Sequence, residues 1–387
     1  MNYFQKVTGA ATEELKAISS SWYMFGFISW IPLLGYALII AIFLEGVPRE
    51  LPVGVVDHDA SQLSRMQLSR IESSATLMIK KQYNSVKDAA YDLKDGTIYA
   101  FVIIPEHFEH DLRKGMQPTI TVMLNTQFIL MGKILHSALT DVLMNSAATI
   151  DLVQTLADEQ RPEMAKSAVA PIQMQITPFF NTYNNYFLFL ISAMLPALWS
   201  IFIVLTMIIS LGEMFKKGRE KAWLVSSGHS LSAALIGKML PYIIVQMLWG
   251  LAIVYFVYGV MPWPYAGSWG ILAGAMFLSI VVYQLIALAF YGLKFEYASA
   301  LSFGAVFTAP AFAAMGITFP LMNMGGIAVA WHDLLPISHY IHIQISQANY
   351  GAPLASVGTA FLALALFLVI TPLVYWRYSS VSKRWQA

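Results

Sequence analysis

The feature that most constrains this chain is where its charge lies. Between Glu45 and Pro178, 134 residues hold 12 Lys/Arg and 16 Asp/Glu, which is 28 of the 45 charged residues. The remainder runs in apolar stretches long enough to cross a membrane. Overall the chain is 57% hydrophobic and 12% charged, with a mean hydropathy of +0.60. A soluble domain carries roughly twice that charge density, so there is too little here to cover a water-facing surface of this size. Lys plus Arg is 23 and Asp plus Glu 22, which leaves no global charge to attract nucleic acid. The 10 tryptophans, 19 tyrosines and 23 phenylalanines suit a chain with apolar–water boundaries to anchor. A soluble enzyme, a disordered tail and a basic nucleic-acid binder are all set aside. The expected fold class is an α-helical polytopic membrane protein with six transmembrane helices and an inserted extracytoplasmic α/β domain.

The first apolar run, Trp22 to Phe43, would span about 33 Å as a helix, enough for a hydrocarbon core of about 30 Å. It is too long for the apolar part of a signal peptide and ends in LEGVPRELP rather than a small-residue cleavage site, so it reads as a retained span. Further spans follow the insert: Asn185–Leu211, Ala233–Val260 with an interruption near its start at Pro241, Trp269–Leu293, Ala298–Phe319 and Pro353–Tyr375. Pro320–Gly351 is apolar but rich in glycine, proline, histidine and asparagine, and reads as a short re-entrant or interfacial helix pair. The absence of cysteine excludes disulfides, thiolate metal sites and cysteine nucleophiles.

Orientation follows from lysine and arginine in the short flanks. With six spans both termini share a side, which then holds Lys6, Lys16, Arg377, Lys383, Arg384, Lys294 and the segment FKKGREK, Phe215 to Lys221. The opposite loops, Met261–Ser268 and Pro320–Gly351, carry no Lys or Arg. The expected organisation is therefore a cytoplasmic amphipathic N-terminal helix over 1–21, a first span over 22–44, and an outer α/β domain over 45–180. Five spans over 181–377 follow, with a cytoplasmic loop at 213–230 and the outer re-entrant segment at 320–351. A cytoplasmic tail over 378–387 ends the chain.

Within the insert, Pro52–Asp57, Ala75–Lys81, Ile98–Ile104 and Thr119–Asn125 read as strands, and Ser61–Ser73 and Ser85–Asp95 as amphipathic helices. Pro105–Gly115 opens with proline at a first helical turn and stops at glycine, and 128–166 reads as one long helix leading back to the membrane. Strands alternating with helices give a small α/β sheet. Asp57, His58 and Asp59 have the chemistry to ligate a cation, but Asp57–Ser61 is better read as a turn and helix cap. Glu106, His107, Glu109 and His110 are better read as a solvated helix face than as a metal face.

At this point the residues carry a resemblance. LPVGVVDHDASQLSR after the first span, then GTIYAFVIIPEHFEHDLRKG, resemble the outer domain of type-2 ABC exporter permeases, with a strand running into a D-x-D-x-S turn. GKMLPY, Gly237 to Tyr242, resembles the family's G-K-x-x-P-Y entry into its third span. AMGITFP, Ala314 to Pro320, is similar to its S-G-x-x-F-P turn, and LLPISHY, Leu334 to Tyr340, to its L-P-x-x-x-Y segment. Each motif is weak alone, whereas the ordered set covers essentially the whole chain. Three places depart from the pattern. REKAWLVSSG, Arg219 to Gly228, stands where the family carries G-T-x-E, FNT, Phe180 to Thr182, replaces F-N-P, and Pro196–Ala197 replaces P-G.

No G-x-x-x-x-G-K-[S/T] occurs, because Gly132-Lys133 and Gly237-Lys238 precede Ile and Met. Without a phosphate-cradling loop the chain does not hydrolyse ATP alone. Signatures of metalloprotease and hydrolase chemistry are missing too. The resemblance then implies a non-catalytic permease subunit of an ATP-driven exporter, with no cofactor of its own and with ATP and Mg bound by a partner ABC ATPase subunit. It further implies a second permease copy or a homologous permease, contact with membrane lipids, a possible periplasmic adaptor protein, and a place in a bacterial inner membrane.

The loop Glu213–Ser230 is the leading site. Glu213, Lys216, Lys217, Arg219, Glu220 and Lys221, flanked by Met214, Phe215 and Trp223, correspond in the family to a coupling helix that docks on the ATPase. A short rigid element with an apolar anchor and charges for pairing meets that need; the plain alternative is a positive anchor on anionic lipid. The N-terminal segment Thr12–Trp22 is expected to lie along the inner surface and, in the family, to brace that contact. Ionisable groups are nearly absent from the spans, which argues against a proton or ion relay. Asn181, Asn184, Asn185, Gln246, Tyr283 and Gln284 are candidates for an amphipathic substrate path, against which stands interhelical hydrogen bonding worth about 0.6 kcal/mol each. His332, Asp333, His339 and His342 read as boundary-layer side chains rather than a metal site.

A receptor or scaffold whose outer domain binds a ligand is the alternative from another class, and six spans feeding only short cytoplasmic pieces argue against it. A membrane enzyme lacks its motifs. The substrate expected of a path without charges is hydrophobic or amphipathic, drug-like or lipid-like.

Overall fold

The computed structural model describes residues 1–44, 49–114, 116–126, 131–144, 186–261, 265–317 and 321–386. It divides into two units, one of Met1–Gly46 with Pro178–Ala387 and one of Val47–Thr177.

Six helices among the described residues of the first unit are long and apolar enough to cross a membrane: Trp22–Phe43, Phe187–Lys216, Leu231–Val260, Trp269–Lys294, Tyr297–Ala314 and Leu354–Lys383. They match the six spans expected from sequence. Helices are the form such runs must take, because each backbone polar group in lipid is satisfied only within its own segment. The second and fourth are mostly buried among the others, while the first and sixth leave most of their surface open. Trp199, Tyr242, Tyr283, Tyr291 and Tyr340 are fully buried. Trp199 Nε1 donates to the Gln246 carbonyl at 3.0 Å, and Gly250 lets its ring approach, since a Cβ there would lie 3.0 Å from Trp199 Cζ2.

Several details differ from the expectation. The first span is two helices, Trp22–Ile28 and Trp30–Phe43, joined at Ser29, whose hydroxyl bonds the Phe25 carbonyl at 2.6 Å. The third is not interrupted at Pro241: Leu231–Tyr255 is one helix that passes through it. Proline removes one donor from the ladder. With its amide turned to satisfy both atoms, Gln284 donates to the Met239 carbonyl at 3.3 Å and accepts from Ile243 N at 3.2 Å, bracing the backbone on either side of Pro241. The fifth span bends at Pro310 between Tyr297–Thr308 and Ala311–Ala314. The last helix runs to Gln386, beyond Tyr375, because its polar end still packs Tyr378 and Ser382 inside. Two helices, Gly326–Leu334 and Pro336–Tyr350, occupy the segment expected to hold a helix pair.

The second unit holds a four-stranded mixed sheet in the order β2-β1-β3-β4. β1 is Leu51–Asp57, β2 Leu77–Tyr83, β3 Ala100–Ile104 and β4 Thr121–Leu124. β1 is parallel to β2 and β3, and β4 is antiparallel to β3. The helices Gln62–Glu72 and Val86–Asp95 make the crossovers that parallel strands require. Gly54 in β1 is fixed by packing, since a Cβ would lie 2.6 Å from the Tyr83 ring and 2.8 Å from Ile98.

Asp57–Ser61 does form a turn and helix cap, with Ser61 accepting from Ser64 N at 3.1 Å and Asp57 closing the turn. Asp57 Oδ1 accepts from Asp59 N and Ala60 N, and its Oδ2 accepts from the Ser64 hydroxyl at 2.7 Å. Pro105 does not open a helix: His107 takes a left-handed conformation and the helix runs Phe108–Arg113. Its start is capped by Asp59, whose Oδ2 accepts from Glu109 N at 3.0 Å. Glu109 in return accepts from Gln62 N and Leu63 N, the first amides of the neighbouring helix. Arg113 and those amides hold the Glu109 carboxyl below the usual carboxylate range. Tyr83 and Lys81 do the same for Asp92. Residues 131–144 are helical, with Leu135 and Leu139 buried on β1 and β3 residues, and the rest of the expected 128–166 helix lies outside the described residues.

Candidate coupling surface and the ion pair behind it

The loop between the second and third spans is built by two left-handed turns. The second span ends at Lys216, and Gly218, with φ of +60°, reverses the chain so that Arg219 N reaches the Met214 carbonyl at 3.0 Å. A seven-residue helix, Glu220–Ser226, follows. Gly228 and His229, both with positive φ, then redirect the chain into Leu231. The short helix is two-sided. Trp223 and Leu224 are buried, whereas Lys221, Ala222 and Val225 face out beside the exposed Lys216, Lys217 and His229.

Trp223 is the anchor. Its Nε1 donates to the Ala234 carbonyl at 3.1 Å, one turn into the third span, and its ring stands 6.1 Å from that of Trp385. Arg219 and Glu220 are half-buried. Glu213 pairs with Lys217 at 2.7 Å, an i,i+4 bridge along the end of the second span. Lys216 and Lys221 are exposed.

Behind the loop lies a feature not recognised from sequence. The N-terminal helix runs Tyr3–Ser19, within the expected 1–21, and it is capped by Asn2 and Gln5. Its buried face comprises Val7, Ala10, Ala11, Glu14, Ala17 and Ile18. That face packs on the start of the third span, where Gly237 permits the approach: a Cβ there would lie 2.5 Å from Ala10 Cβ and 2.6 Å from the Val7 carbonyl. Gly9 likewise lets the helix meet the Ser226 carbonyl at the end of the loop helix.

Glu14 closes the arrangement. Lys238 Nζ lies 2.8 Å from its Oε2, and Ser210 and Tyr242 each donate to its Oε1 at 2.6 Å. Glu14 is 5% exposed and Lys238 0%, so neither charge has water as an alternative partner. Burial pushes the Glu14 carboxyl up, and the Lys238 charge with the two hydroxyls outweighs it and holds it below the usual carboxylate range. Lys238 sits two turns into a 30-residue helix of about 45 Å, so it lies near one end rather than at mid-span. The Lys and Tyr of GKMLPY are thereby the two residues of that motif that hold Glu14, and its Gly is the contact point. One legible signal pointed there: a carboxylate at the centre of an i, i+3, i+4, i+7 stripe of small apolar residues.

The expected path residues divide. Asn181 and Asn185 lie outside the described residues, as does the FNT segment. Gln246, Tyr283 and Gln284 are fully buried between helices. Gln246 Nε2 faces Thr206 Oγ1 at 3.4 Å, and Tyr283 accepts from Ile337 N at 2.9 Å, capping the start of Pro336–Tyr350. No group of three or more metal-ligating side chains occurs among the described residues. His332 donates to the Ala314 carbonyl at 2.7 Å and His339 to the Asp333 carbonyl at 2.9 Å, so each has a backbone partner. Burial holds the His339 imidazole below its ordinary range.

A family model described as ABC-2 family transporter protein matches residues 22–376, which takes in the six spans and the inserted sheet and begins after the N-terminal helix. No curated protein matches the chain.

Proposed function

We propose that this chain, which belongs to the ABC-2 transporter family, is the permease subunit of an ATP-driven exporter, with Glu213–Ser230 as its contact with the ATPase. It is a multi-pass membrane transport component, and permeases of this family generally work with a separate ABC ATPase subunit. The observation that carries the reading is the construction of the loop. Trp223 fastens the short helix to the third span, Gly9 lets the N-terminal helix meet its end, and the Glu14 cluster ties that N-terminal helix to the second and third spans, while Lys216, Lys217 and Lys221 stay exposed. A push on that surface reaches the third span through the Trp223–Ala234 bond and the second through the turn in which Arg219 N bonds the Met214 carbonyl.

In this account Glu213, Lys216, Lys217, Arg219 and Glu220 pair with the ATPase and Trp223 anchors them. ATP and Mg are held by that partner. Both termini and the loop face the cytoplasm, the sheet domain lies outside an inner membrane, and a second permease, identical or related, completes the path. Closure of the ATPases tilts the spans and expels a hydrophobic or amphipathic substrate, which the outer domain passes to a periplasmic adaptor. Gln246, Tyr283 and Gln284 act in this scheme from within the helix contacts rather than as an open lining. The test is mild-detergent purification of the tagged chain, expressed with its neighbouring genes, and an assay for co-purified ATPase activity. A stoichiometric ATPase is expected; its absence would move the function to the outer domain.

A further inference from the structure

A cavity lies beside the loop. About 630 Å³ opens between the ends of the second and fourth spans and the start of the fifth. Its wall is aromatic, with Tyr23, Phe215, Tyr291, Phe295 and Tyr297. Two carboxylates stand among those rings, Glu213 and Glu296, and Lys216 is the basic side chain of the lining.

The rings hold one another in place. Phe215 stacks on Tyr291 at 5.2 Å and meets Phe295 at 5.7 Å. Tyr297 lies across the second span at Gly212, where a Cβ would run into its ring. Phe295 already receives a cation, since the Arg377 guanidinium sits 5.7 Å from its centroid. Charges of both signs meet at the cavity: Lys216 lines it with Glu213 and Glu296, and Lys294 ends the fourth span. The second and fourth spans bring their partly negative C-terminal ends to it, and the fifth brings its partly positive N-terminal end. Glu296, at the N-cap of the fifth span, is exposed and accepts from the Ser299 hydroxyl at 2.5 Å. Glu213 is the more sheltered carboxylate, and Lys217 pairs it from outside the cavity.

Ring faces attract a cation through their quadrupole, and a carboxylate on a mostly apolar wall selects a cation that brings apolar substituents with it. We propose that this cavity binds an apolar organic cation, and that it is where such a substrate enters the permease. The inference rests on the export reading for the word substrate, but not for the binding itself. The same cationic chemistry reaches the site from two sources, the ammonium head group of a membrane lipid and a soluble amphiphilic cation.

The experiment is equilibrium binding of radiolabelled tetraphenylphosphonium to the full chain in dodecyl maltoside, with tetraphenylborate as an anion of equal shape. Saturable binding of one cation per chain is expected, with the anion excluded. Glu296→Gln is expected to weaken it about tenfold and Glu296→Asp to retain it. Tyr297→Leu is expected to weaken it roughly three- to fivefold, the scale of one exposed cation–π contact. Added phosphatidylethanolamine that competes identifies the lipid source, and lack of competition identifies the soluble one. Equal binding of tetraphenylborate, or unchanged affinity in both Glu296→Gln and Tyr297→Leu, overturns the proposal. Because no ATPase enters this assay, its failure leaves the export reading standing, and failure of ATPase co-purification leaves cation binding standing.

Discussion

Lys238 Nζ lies 2.8 Å from Glu14 Oε2 across 224 positions of sequence, and both side chains are buried. The contact joins a helix before the first span to the helix after the charged loop. Attraction in a buried pair is largely offset by desolvation, so its presence does not itself make the unit stable. Breaking one side is different, because a lone buried charge remains.

Glu14→Ala is therefore expected to destabilise the membrane unit by about 3–5 kcal/mol, read as a lower unfolding midpoint in detergent. Glu14→Leu with Lys238→Met is expected to recover most of that loss. A double variant as unstable as Glu14→Ala would show that the charges do not act as a pair.

Gly237→Ala places a methyl against Ala10 and the Val7 carbonyl. Separation of the N-terminal helix is expected at a cost of about 1–3 kcal/mol, with faster amide exchange across residues 3–19 than in the unaltered chain. Unchanged exchange there would contradict the close contact.

Tyr283→Phe removes the acceptor for Ile337 N inside the fold. The expected cost is about 1–3 kcal/mol, the penalty for one buried unpaired amide. Loss of transport with stability intact would instead assign Tyr283 to the path.

The sheet domain has an acid limb. Glu109 and Asp92 both have carboxyls held below their ordinary values by hydrogen-bonded partners. Groups depressed in the folded state contribute stability above their unfolded pKa of about 4 and lose it as the pH falls through the lower folded values. Amide exchange over residues 51–124 is expected to rise as the pH drops below about 4, once corrected for the intrinsic pH dependence of exchange. Glu109→Gln is expected to raise exchange at pH 7 and flatten the acid response. A variant with the same pH profile as the unaltered chain would remove Glu109 from that account.

Much of this architecture was legible in the sequence because its signals are long or local. A run such as Trp22–Phe43 has one way to satisfy its backbone in lipid, and Ser61, Ser85 and Gly96 mark helix ends through bonds made within a few residues. The points missed depend on partners distant in sequence. The helix runs on through Pro241, and Gln284, on another span, bonds the backbone to either side of it. Glu14 looked like one more charge on a surface helix until Lys238, Ser210 and Tyr242 were placed around it. Lys238 itself stood inside a motif noticed only for its pattern. Pro105 misled because a proline fits a first helical turn, but the left-handed His107 delays the helix to Phe108.

The central claim is that the exposed cations of the loop meet an ATPase. Lys216 and Lys221 face out, so reversing their charges is expected to cost the fold little. The decisive measurement is co-purified ATPase activity per mole of the double variant Lys216→Glu, Lys221→Glu, alongside its unfolding midpoint. The account predicts loss of the ATPase with the midpoint nearly unchanged. A fully retained ATPase on the double variant would contradict it.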